Sequence, residues 1–420
     1  MRPIRRPFRS AALSAALLAS GLPVSGLAAD NFSYTLTITP AAAGAPFTET
    51  RGFGNVQDFI NSFDQGALES KFAGYSVNDG VSFVASFRGI PTNVFFNPNS
   101  TAVSFVVPSL GINKTFSAAN RDGSLDQLED FLKKNGEGIL SRIMKEAAKA
   151  SPNDPVAGNP TSLMGTMVGS NFDNTFASQG SQIIGGPPQA QAGDQTNNFG
   201  LSLRFGSFKV NDVNTRTTTL PLSYTWRIDS DPRKQVVLAM PITYGTTEGA
   251  RIGSLSPSIS VSLPVNDKWT LTPTVGYGVT GSIDLASVAQ IVSGSLMSMV
   301  TIPMDDWYLS VGNMVGHYKT LKVQSGEFSA DPGIANTVFR NGFMVSQPVN
   351  FLGGDKLIEY SWVDTRYAGS ALYMKWYDEV GITLGTARGA TGLASYIRAG
   401  VSYLYSAGSK GYSLKFGYWF

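Results

Sequence analysis

His317 is the single histidine of the chain, and the chain has no cysteine. A serine hydrolase needs a histidine base beside a serine nucleophile, with a third group that orients the base. Ser310 and Ser346 lie on segments that could neighbour His317, but no motif marks either serine as a nucleophile. The absence of cysteine excludes disulfides and thiolate ligands, and one histidine cannot form a histidine-cluster metal site. We therefore expect no catalytic residue, no metal site and no cofactor.

Two pairs of adjacent acids are the other candidates for chemistry, namely Asp305-Asp306 and Asp378-Glu379. Paired carboxyl groups can perform general acid–base catalysis. The first pair falls in a predicted turn and the second in a predicted strand, where solvated or lumen-facing carboxylates are the simpler interpretation. The glycine-rich stretches, such as residues 52–54, match no phosphate-binding loop. The function must therefore be sought in the elements that carry these residues.

The composition favours many strands over helices. Charged residues make up 15% of the 420-residue chain, against about 25% in ordinary soluble domains. The 45 glycines, 25 phenylalanines and 16 tyrosines are typical of short strands and turns. After residue 30 no stretch approaches the roughly 20 apolar residues of a membrane-spanning helix. The net charge of +2, without a block of Lys and Arg, predicts no nucleic-acid partner.

The first 29 residues have the pattern of a secretory signal peptide. A positive segment opens the chain, with Arg2, Arg5, Arg6 and Arg9. An apolar run at 11–18 follows, and Ala28 and Ala29 precede a plausible cleavage point at Asp30. We therefore expect residues 1–29 to be removed on export.

Three segments precede the last part of the chain. Residues 30–122 predict a small mixed α/β domain, with strands at 32–38, 81–87 and 102–107 and a short helix at 55–63. Residues 123–150 predict a helical segment that the sequence NGEG at 135–138 breaks in two. This segment either packs on the N-terminal domain or enters the barrel predicted below. Residues 151–196 are rich in Pro, Gly, Ser, Asn and Gln, and predict a linker, or an inner segment that becomes regular only against a barrel wall.

From residue 197 to residue 420, apolar and polar side chains alternate strictly. About twelve runs show this pattern: 197–209, 214–228, 234–246, 252–265, 268–281, 286–302, 306–318, 337–349, 356–366, 371–385, 393–406 and 410–420. Most are long enough for a tilted transmembrane strand, which needs roughly 9 to 11 residues, whereas globular strands average about 5 or 6. In hydrocarbon every backbone N–H and C=O group must find a partner, so such a sheet must close. The fold class predicted is therefore an all-β transmembrane antiparallel up-and-down barrel of about 12 strands.

With the apolar side chains facing lipid, a set of charged side chains would face the lumen. These are Arg204, Arg227, Arg340, Glu359, Lys375, Glu379, Arg398 and Lys415. Six basic and two acidic groups would favour anions, or would hold an acidic or carbonyl-rich plug segment. The alternative is that they pair with one another and with the loops.

The last strand carries the most specific pattern, with aromatic and aliphatic side chains on one face: Tyr412, Leu414, Phe416, Tyr418 and Phe420. This resembles the C-terminal signature of bacterial outer-membrane β-barrel proteins. The resemblance covers this strand and the repeated strand pattern. It implies location in the Gram-negative outer membrane, with outer-membrane lipid, the barrel assembly machinery and periplasmic chaperones as partners.

Three functions follow from the sequence. The first is a non-enzymatic pore or structural envelope protein. The second is a translocator that displays the short N-terminal domain, because the order of signal, N-terminal domain, helix and twelve-strand barrel is similar to that of autotransporters. Against this, the N-terminal domain lacks β-helix repeats, and the predicted helix ends some 45 residues before the first barrel strand. The third is an outer-membrane hydrolase, which the lone His317 disfavours.

Overall fold

The computed structural model describes residues 31–54, 58, 74–183, 197–211, 213–228, 234–325, 328–350, 355–386 and 397–419. The predicted signal peptide and nearly all of the predicted helix at 55–63 lie outside these residues. Within these residues, no helix combines the length and the apolar character that a membrane-spanning helix requires.

The N-terminal region contains one six-stranded antiparallel sheet. Its strands are β1 (Phe32–Thr39), β2 (Phe47–Phe53), β3 (Gly80–Phe87), β4 (Ile90–Phe96), β5 (Val103–Val107) and β6 (Ile112–Phe116), in the order β2-β1-β3-β4-β5-β6. Alternate side chains of β1 are buried, namely Phe32, Tyr34, Leu36 and Ile38. The period of two along β1 therefore decides which face of the sheet covers the hydrophobic core.

A long helix, α1 (Arg121–Ala150), packs on this sheet. Asn120 caps it, because its side chain accepts a hydrogen bond from the backbone N–H of Gly123 at 2.8 Å. Arg121 fixes the start of the helix to the sheet by donating to the carbonyl oxygen of Asp79 at 2.7 Å. The Asp79 carboxylate in turn accepts backbone N–H groups of Ala41 and Ser76, and these hydrogen bonds lower its pKa below the ordinary value.

The predicted break in this helix at 135–138 is wrong. The helix continues through both glycines, each of which costs about 1 kcal/mol relative to alanine. The apolar stripe resumes beyond them at helical spacing, so packing on the sheet outweighs that cost. The stripe consists of Leu128, Leu132, Ile139, Ile143 and Ala147.

The C-terminal part of the chain is a closed antiparallel barrel. Its segments are β7 (Asn197–Val210), β8 (Val213–Arg227), β9 (Gln235–Thr247), β10 (Ala250–Leu255), β11 (Ser258–Pro264), β12 (Trp269–Ser282), β13 (Ser287–Pro303), β14 (Tyr308–Leu321), β17 (Ala335–Asn350), β18 (Asp355–Gly369), β19 (Trp376–Thr386), β20 (Ile397–Ser406) and β21 (Ser409–Trp419). A small hairpin of β15 (Val323–Ser325) and β16 (Phe328–Ala330) lies between β14 and β17.

Twelve strands cross the barrel, because β10 and β11 together form one of them. Both pair with β9 on one side and with β12 on the other. The interruption is at Pro257, which has no N–H to donate. The barrel closes because β21 pairs with β7, with Ser409 opposite Val210. The predicted twelve-strand barrel is therefore confirmed.

Side chains alternate between an apolar exterior and a largely small or polar interior. On β9, Leu238, Met240 and Ile242 are 39–44% exposed and point outward, whereas Ala239 and Thr243 are buried. Comparable exposed aliphatic and aromatic residues occur on every strand around the barrel. Exposed apolar side chains thus surround the barrel, whereas soluble monomers rarely expose large contiguous apolar patches.

The two ends of the barrel differ in what they carry. We call the end where β7 begins and β21 finishes the terminal end, and the opposite end the mouth. The N-terminal domain lies on the mouth, where Ala250 and Leu285 belong to its hydrophobic core. Nearby, Lys322 forms an ion pair with Glu137 of α1 at 2.6 Å. The N-terminal domain is therefore a cap on the mouth of the barrel.

Candidate functional site

The lumen of the barrel contains a second helix, α2 (Leu163–Ile183). It lies inside the segment predicted as a Pro- and Gly-rich linker or lumen segment, and the sequence reasoning did not identify it as a helix. The signal was present as a stripe at helical spacing: Leu163, Met164, Met167, Val168, Phe172 and Phe176. Prolines at 152, 155 and 160 lie before the helix and do not interrupt it.

One side of α2 packs on an apolar part of the inner wall. Phe172 and Met164 are fully buried, and the wall opposite is built by inward side chains of β13, β14, β17 and β18. These are Ala289, Ile291, Met297, Met299, Met314, Tyr318, Val338, Met344 and Val363. Burial of each large apolar side chain contributes about 1.5–3 kcal/mol, so the stripe holds the helix firmly.

Glycines in the wall allow this close approach. A Cβ atom on Gly278 of β12 would lie 2.7 Å from the sulfur of Met167 and 2.8 Å from Leu163. A Cβ atom on Gly312 of β14 would lie 2.7 Å from the ring of Phe176. The contacts also fix the direction of the helix. Leu163, the first residue of α2, meets Gly278 near the mouth, and Phe176, further along α2, meets Gly312 nearer the terminal end. The chain therefore runs down the lumen from the mouth.

Asp173 anchors the opposite side of α2 to three wall cations. Its carboxylate forms ion pairs with Arg204 of β7, with Lys415 of β21 at 3.0 Å and with Arg340 of β17 at 3.8 Å. A single carboxylate on the helix thus meets cations from three strands. Charge-assisted hydrogen bonds of this kind are about twice as strong as neutral ones.

Arg340 is the most enclosed of these cations, with its side chain only 2% exposed. It also pairs with Glu379 and donates to the hydroxyl of Thr365 at 2.7 Å. Its guanidinium carbon lies 5.0 Å from the centre of the Phe172 ring. Arg340 therefore links wall and helix by charge and by a cation–π contact.

The structure places six of the predicted lumen charges on the inner wall. Four of these lie at α2 or close to it, namely Arg204, Arg340, Glu379 and Lys415. Glu359 and Arg398 form their own ion pair across β19, apart from the Asp173 group. The side chain of Arg227 lies outside the described residues. Lys375 is exposed in the connection before β19, and its place in the lumen stays a prediction.

A competing set of hydrogen bonds makes β19 begin later than the sequence predicts. The predicted strand began at residue 371, but the backbone N–H of Tyr373 donates to Ala148 and that of Met374 donates to Gly158. These acceptors lie at the end of α1 and in the chain segment that enters the barrel. Residues 373 and 374 therefore hold this part of the chain, whereas the carbonyl oxygen of Lys375 still accepts from the backbone N–H of Tyr367 of β18.

The segment 151–160 passes through the mouth and is almost entirely buried. Asp154 caps its own loop by accepting the backbone N–H groups of Val156 and Ala157, and it forms a buried ion pair with Arg88. Asn153 donates to Thr247 of the barrel rim at 3.2 Å. Buried polar groups are thus largely paired where the chain enters, which fixes its path.

A small cavity remains between α2 and the wall of β7, β8, β19, β20 and β21. Its volume is about 50 Å³, enough for a few water molecules. Gly165 and Gly169 of α2 line one side, and Arg204, Glu379 and Lys415 line the other. The space is too small for a sugar or a peptide while α2 is in place.

The candidates for catalysis do not come together. His317 is exposed on the outer face of β14, where its Nδ1 atom lies 3.1 Å from the hydroxyl oxygen of Thr337. Ser310 lies on the inner face of the same strand and pairs with Thr301. Asp305 and Asp306 are exposed in a terminal-end turn, and no group of three His, Cys, Asp or Glu residues within the described ranges could hold a metal.

In the C-terminal strand, the structure places Tyr412, Leu414 and Phe416 outward, with 47–59% of each exposed. The side chain of Tyr418 and all of Phe420 lie outside the described residues. The role of this strand as an assembly signal remains a prediction.

Comparison with known proteins finds likeness in structure only, since no protein-family model and no curated sequence matches the chain. The β domain of the Bordetella autotransporter BrkA is 12% identical, over 53% of this chain and 99% of that chain, with a TM-score of 0.42. The translocator domain of the autotransporter NalP from Neisseria meningitidis is 14% identical, over 61% and 98%, with a TM-score of 0.41. The KdgM porin is 11% identical, over 52% and 98%, with a TM-score of 0.33.

Likeness at this level carries no functional argument, and the assignment rests on the geometry of the chain itself. The strands close, so backbone groups within the wall pair with neighbouring strands. The outer face is an apolar and aromatic belt, and an even number of strands puts both barrel termini on one side. The chain is therefore an integral β-barrel protein of the bacterial outer membrane.

Proposed function

We propose that this barrel is a non-enzymatic envelope protein that anchors its own N-terminal domain and presents it at the cell surface. The observation that carries the proposal is the path of the chain. It leaves the N-terminal domain at the mouth, follows α2 through the lumen and begins β7 at the terminal end.

The orientation follows from the usual topology of such barrels. Bacterial barrels with an even number of strands keep both termini on the periplasmic side. The mouth, with the N-terminal domain on it, then faces the outside of the cell. The 21 residues of α2 span about 30 Å, which matches the thickness of the hydrocarbon core.

This arrangement removes one objection that the sequence raised to an autotransporter-like translocator, namely the long gap between the predicted helix and the first barrel strand. The helix that precedes the barrel is α2 and not the predicted helix at 123–150. The β-helix repeats of larger passengers are absent from the six-stranded sheet in the described part of the N-terminal domain. We therefore propose display of a small, compact domain, with insertion by the barrel assembly machinery after escort by periplasmic chaperones.

A second candidate is an anion-selective pore that opens when α2 leaves the lumen. The wall cations Arg204, Arg340 and Lys415 would then face water without the Asp173 carboxylate. A lumen with this charge bias would favour anions. Conductance of the purified protein in planar bilayers distinguishes the two, because a display protein stays closed.

Labelling of single cysteines in intact cells tests the display proposal directly, since the chain has no cysteine of its own. Lys114→Cys places a thiol on exposed β6 of the N-terminal domain, and Asp305→Cys places one in a terminal-end turn. We expect a membrane-impermeant maleimide to label the first in intact cells, and the second only after the outer membrane is permeabilised. The reverse pattern would refute the proposed orientation.

A further inference from the structure

Two asparagine side chains point outward from the barrel wall into the lipid. Asn313 of β14 and Asn341 of β17 lie directly opposite each other on neighbouring strands. Asn313 is exposed and Asn341 is half-buried. The next outward residues toward the mouth, Val315 and Phe339, are 43% and 45% exposed, as expected of a surface that faces acyl chains. We call Asn313 and Asn341 the amide pair.

The amide pair lies near the middle of the membrane. On the outer face at β14, Trp307 is exposed at the terminal end and Lys319 is exposed toward the mouth. An amphipathic indole and a charged ammonium group mark the two membrane surfaces. Asn313 is six residues from each of them. Since a strand rises about 3.4 Å per residue and tilts by about 40°, this separation corresponds to about 15 Å along the membrane normal, which is half of the roughly 30 Å hydrocarbon thickness.

The neighbours of the amide pair on the outer face already have hydrogen-bond partners. Ser298 of β13 lies on one side of the pair and Asp364 of β18 on the other. The Ser298 hydroxyl oxygen accepts the indole N–H of Trp269 at 2.9 Å, and the Asp364 carboxylate accepts from Arg366 at 2.7 Å. In the described part of the chain, the amide pair has no such partner. Acyl chains offer neither donors nor acceptors, so the two carboxamides remain unsatisfied in lipid.

This side of the barrel differs from the opposite side. There the corresponding row of outward side chains is apolar, with Val401, Leu414 and Phe205 on successive strands and 41–47% exposed. Beside the amide pair, Gly294 of β13 leaves the outer surface shallow, because a Cβ atom on it would meet nothing within 4 Å. Small residues allow membrane-embedded segments to approach closely, and polar side chains then bond across the contact. The surface of β13, β14 and β17 is therefore suited to contact with protein.

We propose that the amide pair forms the centre of a two-fold contact between two copies of this barrel in the membrane. Both copies insert in the same direction, so the two-fold axis is parallel to the membrane normal. An axis that passes between β14 and β17 places Asn313 of each copy against Asn341 of the other, at nearly the same depth. A carboxamide carries both donors and an acceptor, so each amide satisfies its counterpart in the second copy.

The shape of the barrel agrees with this contact. Two convex walls touch along a narrow strip, and three strands about 4.8 Å apart already cover about 10 Å of its width. The strands β13, β14 and β17 supply such a strip, with the amide pair inside it and Gly294 at its edge. A surface of like charges would repel its own copy, whereas uncharged amides are complementary to themselves.

Cross-linking in isolated outer membranes tests the geometry, since the chain has no cysteine of its own. Two differently tagged full-length copies are produced together, one with Asn313→Cys and the other with Asn341→Cys. We expect mild oxidation to give a covalent dimer that carries both tags. The matched control combines Leu414→Cys with Phe205→Cys, which are likewise directly opposite on neighbouring strands but lie on the other side of the barrel. This control pair should give no mixed dimer.

Dissociation in vesicles tests the role of the amides. Full-length protein labelled at Lys114→Cys is diluted into phosphatidylcholine vesicles, and photobleaching of single molecules counts dimers at each protein-to-lipid ratio. The variant carries Asn313→Leu and Asn341→Leu, which suit a lipid-facing surface and so preserve folding. Each hydrogen bond between polar side chains of membrane helices changes association by about threefold, so loss of both reciprocal contacts should weaken the dimer on the order of tenfold. Val401→Leu with Phe205→Leu is the control and should leave the dissociation constant unchanged.

The proposal fails on any of three results, obtained with variants whose heat-modifiable electrophoretic mobility shows a folded barrel. Equal dissociation constants for wild type and the leucine variant would show that the amides do not hold the contact. Equal cross-linking of the asparagine-derived pair and the control pair would reflect random collision. A wild-type protein that is monomeric at every protein-to-lipid ratio, with a thiol at position 313 that cross-links to a different protein in the outer membrane, would replace the second copy by another partner.

Discussion

Replacing Asp173 by asparagine tests how α2 is held in the lumen. The change keeps the shape of the side chain but removes the carboxylate that meets Arg204, Arg340 and Lys415. Among the residues that the structure describes, Glu379 would then be the one close acid partner of Arg340, and three wall cations would face each other. We expect α2 to dock less firmly.

The magnitude follows from the enclosure of the group. The Asp173 side chain is 19% exposed, and its partners range from 2% to 37%. Removing one partner of a buried ion pair costs about 3–5 kcal/mol, and partial exposure puts this case near the lower limit. A loss of about 3 kcal/mol raises the fraction of undocked α2 by roughly 150-fold.

Single-channel recording in planar bilayers measures this fraction as the frequency of opening. We expect Asp173→Asn to open on the order of 100-fold more often than wild type, with a preference for anions. Asp306→Asn, in an exposed turn, is the charge-matched control and should remain closed. In a double-mutant cycle, Lys415→Gln should add little to Asp173→Asn. An opening frequency equal to that of wild type, in a folded Asp173→Asn barrel, would refute the reasoning.

Three further predictions concern packing, pH and the mouth of the barrel. Gly278→Val should prevent α2 from packing against β12 and raise the conductance of the barrel. Gly281→Val on the same strand should leave the conductance unchanged, because its Cβ would meet nothing within 4 Å. Equal conductance of the two variants would contradict the packing account. Asp79→Asn should weaken hydrogen-exchange protection of the N-terminal sheet at neutral pH. The pKa of Asp79 is lowered in the folded protein, so its carboxylate stabilises the fold above the unfolded pKa of about 3.9, and this stabilisation is lost as pH falls through the folded pKa. Wild type and Asp79→Asn should therefore show the same protection in acid. A difference between them that does not change with pH would contradict this role of Asp79. Arg88→Met should loosen the N-terminal domain from the mouth by about 3–5 kcal/mol, as judged by protease resistance, because it leaves the Asp154 carboxylate buried without its partner. Adding Asp154→Asn, which removes the charge but keeps the oxygen that accepts from Val156 and Ala157, should restore much of the loss; a double variant less resistant than the single one would contradict this account.

The barrel could be predicted because its strands impose a local pattern. Each strand faces lipid on one side and the interior on the other, so the period of two is visible in runs such as residues 268–281. Register and closure then follow from the need to pair every backbone group in hydrocarbon. The exact start of β19 could not be predicted, because the backbone N–H groups of residues 373 and 374 bind a segment more than 200 residues earlier.

The occupied lumen was harder to predict, because its contacts are distant in sequence. Asp173 pairs with Arg204, 31 residues away, and with Lys415, 242 residues away. Nothing in the local sequence identifies such partners. The apolar stripe of α2 was visible in principle, but the surrounding prolines and glycines concealed it. The predicted surplus of wall cations did anticipate an acidic plug as one alternative, and the structure supplies Asp173.

The path of α2 through the barrel is the central claim, and a disulfide in intact cells tests it most directly. A Cβ atom on Gly312 would lie 2.7 Å from the Phe176 ring, so Gly312→Cys and Phe176→Cys place two thiols on either side of this contact in a chain without other cysteines. Gly294→Cys with Phe176→Cys is the matched control, because Gly294 faces outward. We predict that mild oxidation cross-links the first pair, with a shift in electrophoretic mobility of the denatured chain, and leaves the second pair free. Cross-linking of neither pair, in a folded barrel, would mean that α2 does not lie against this wall.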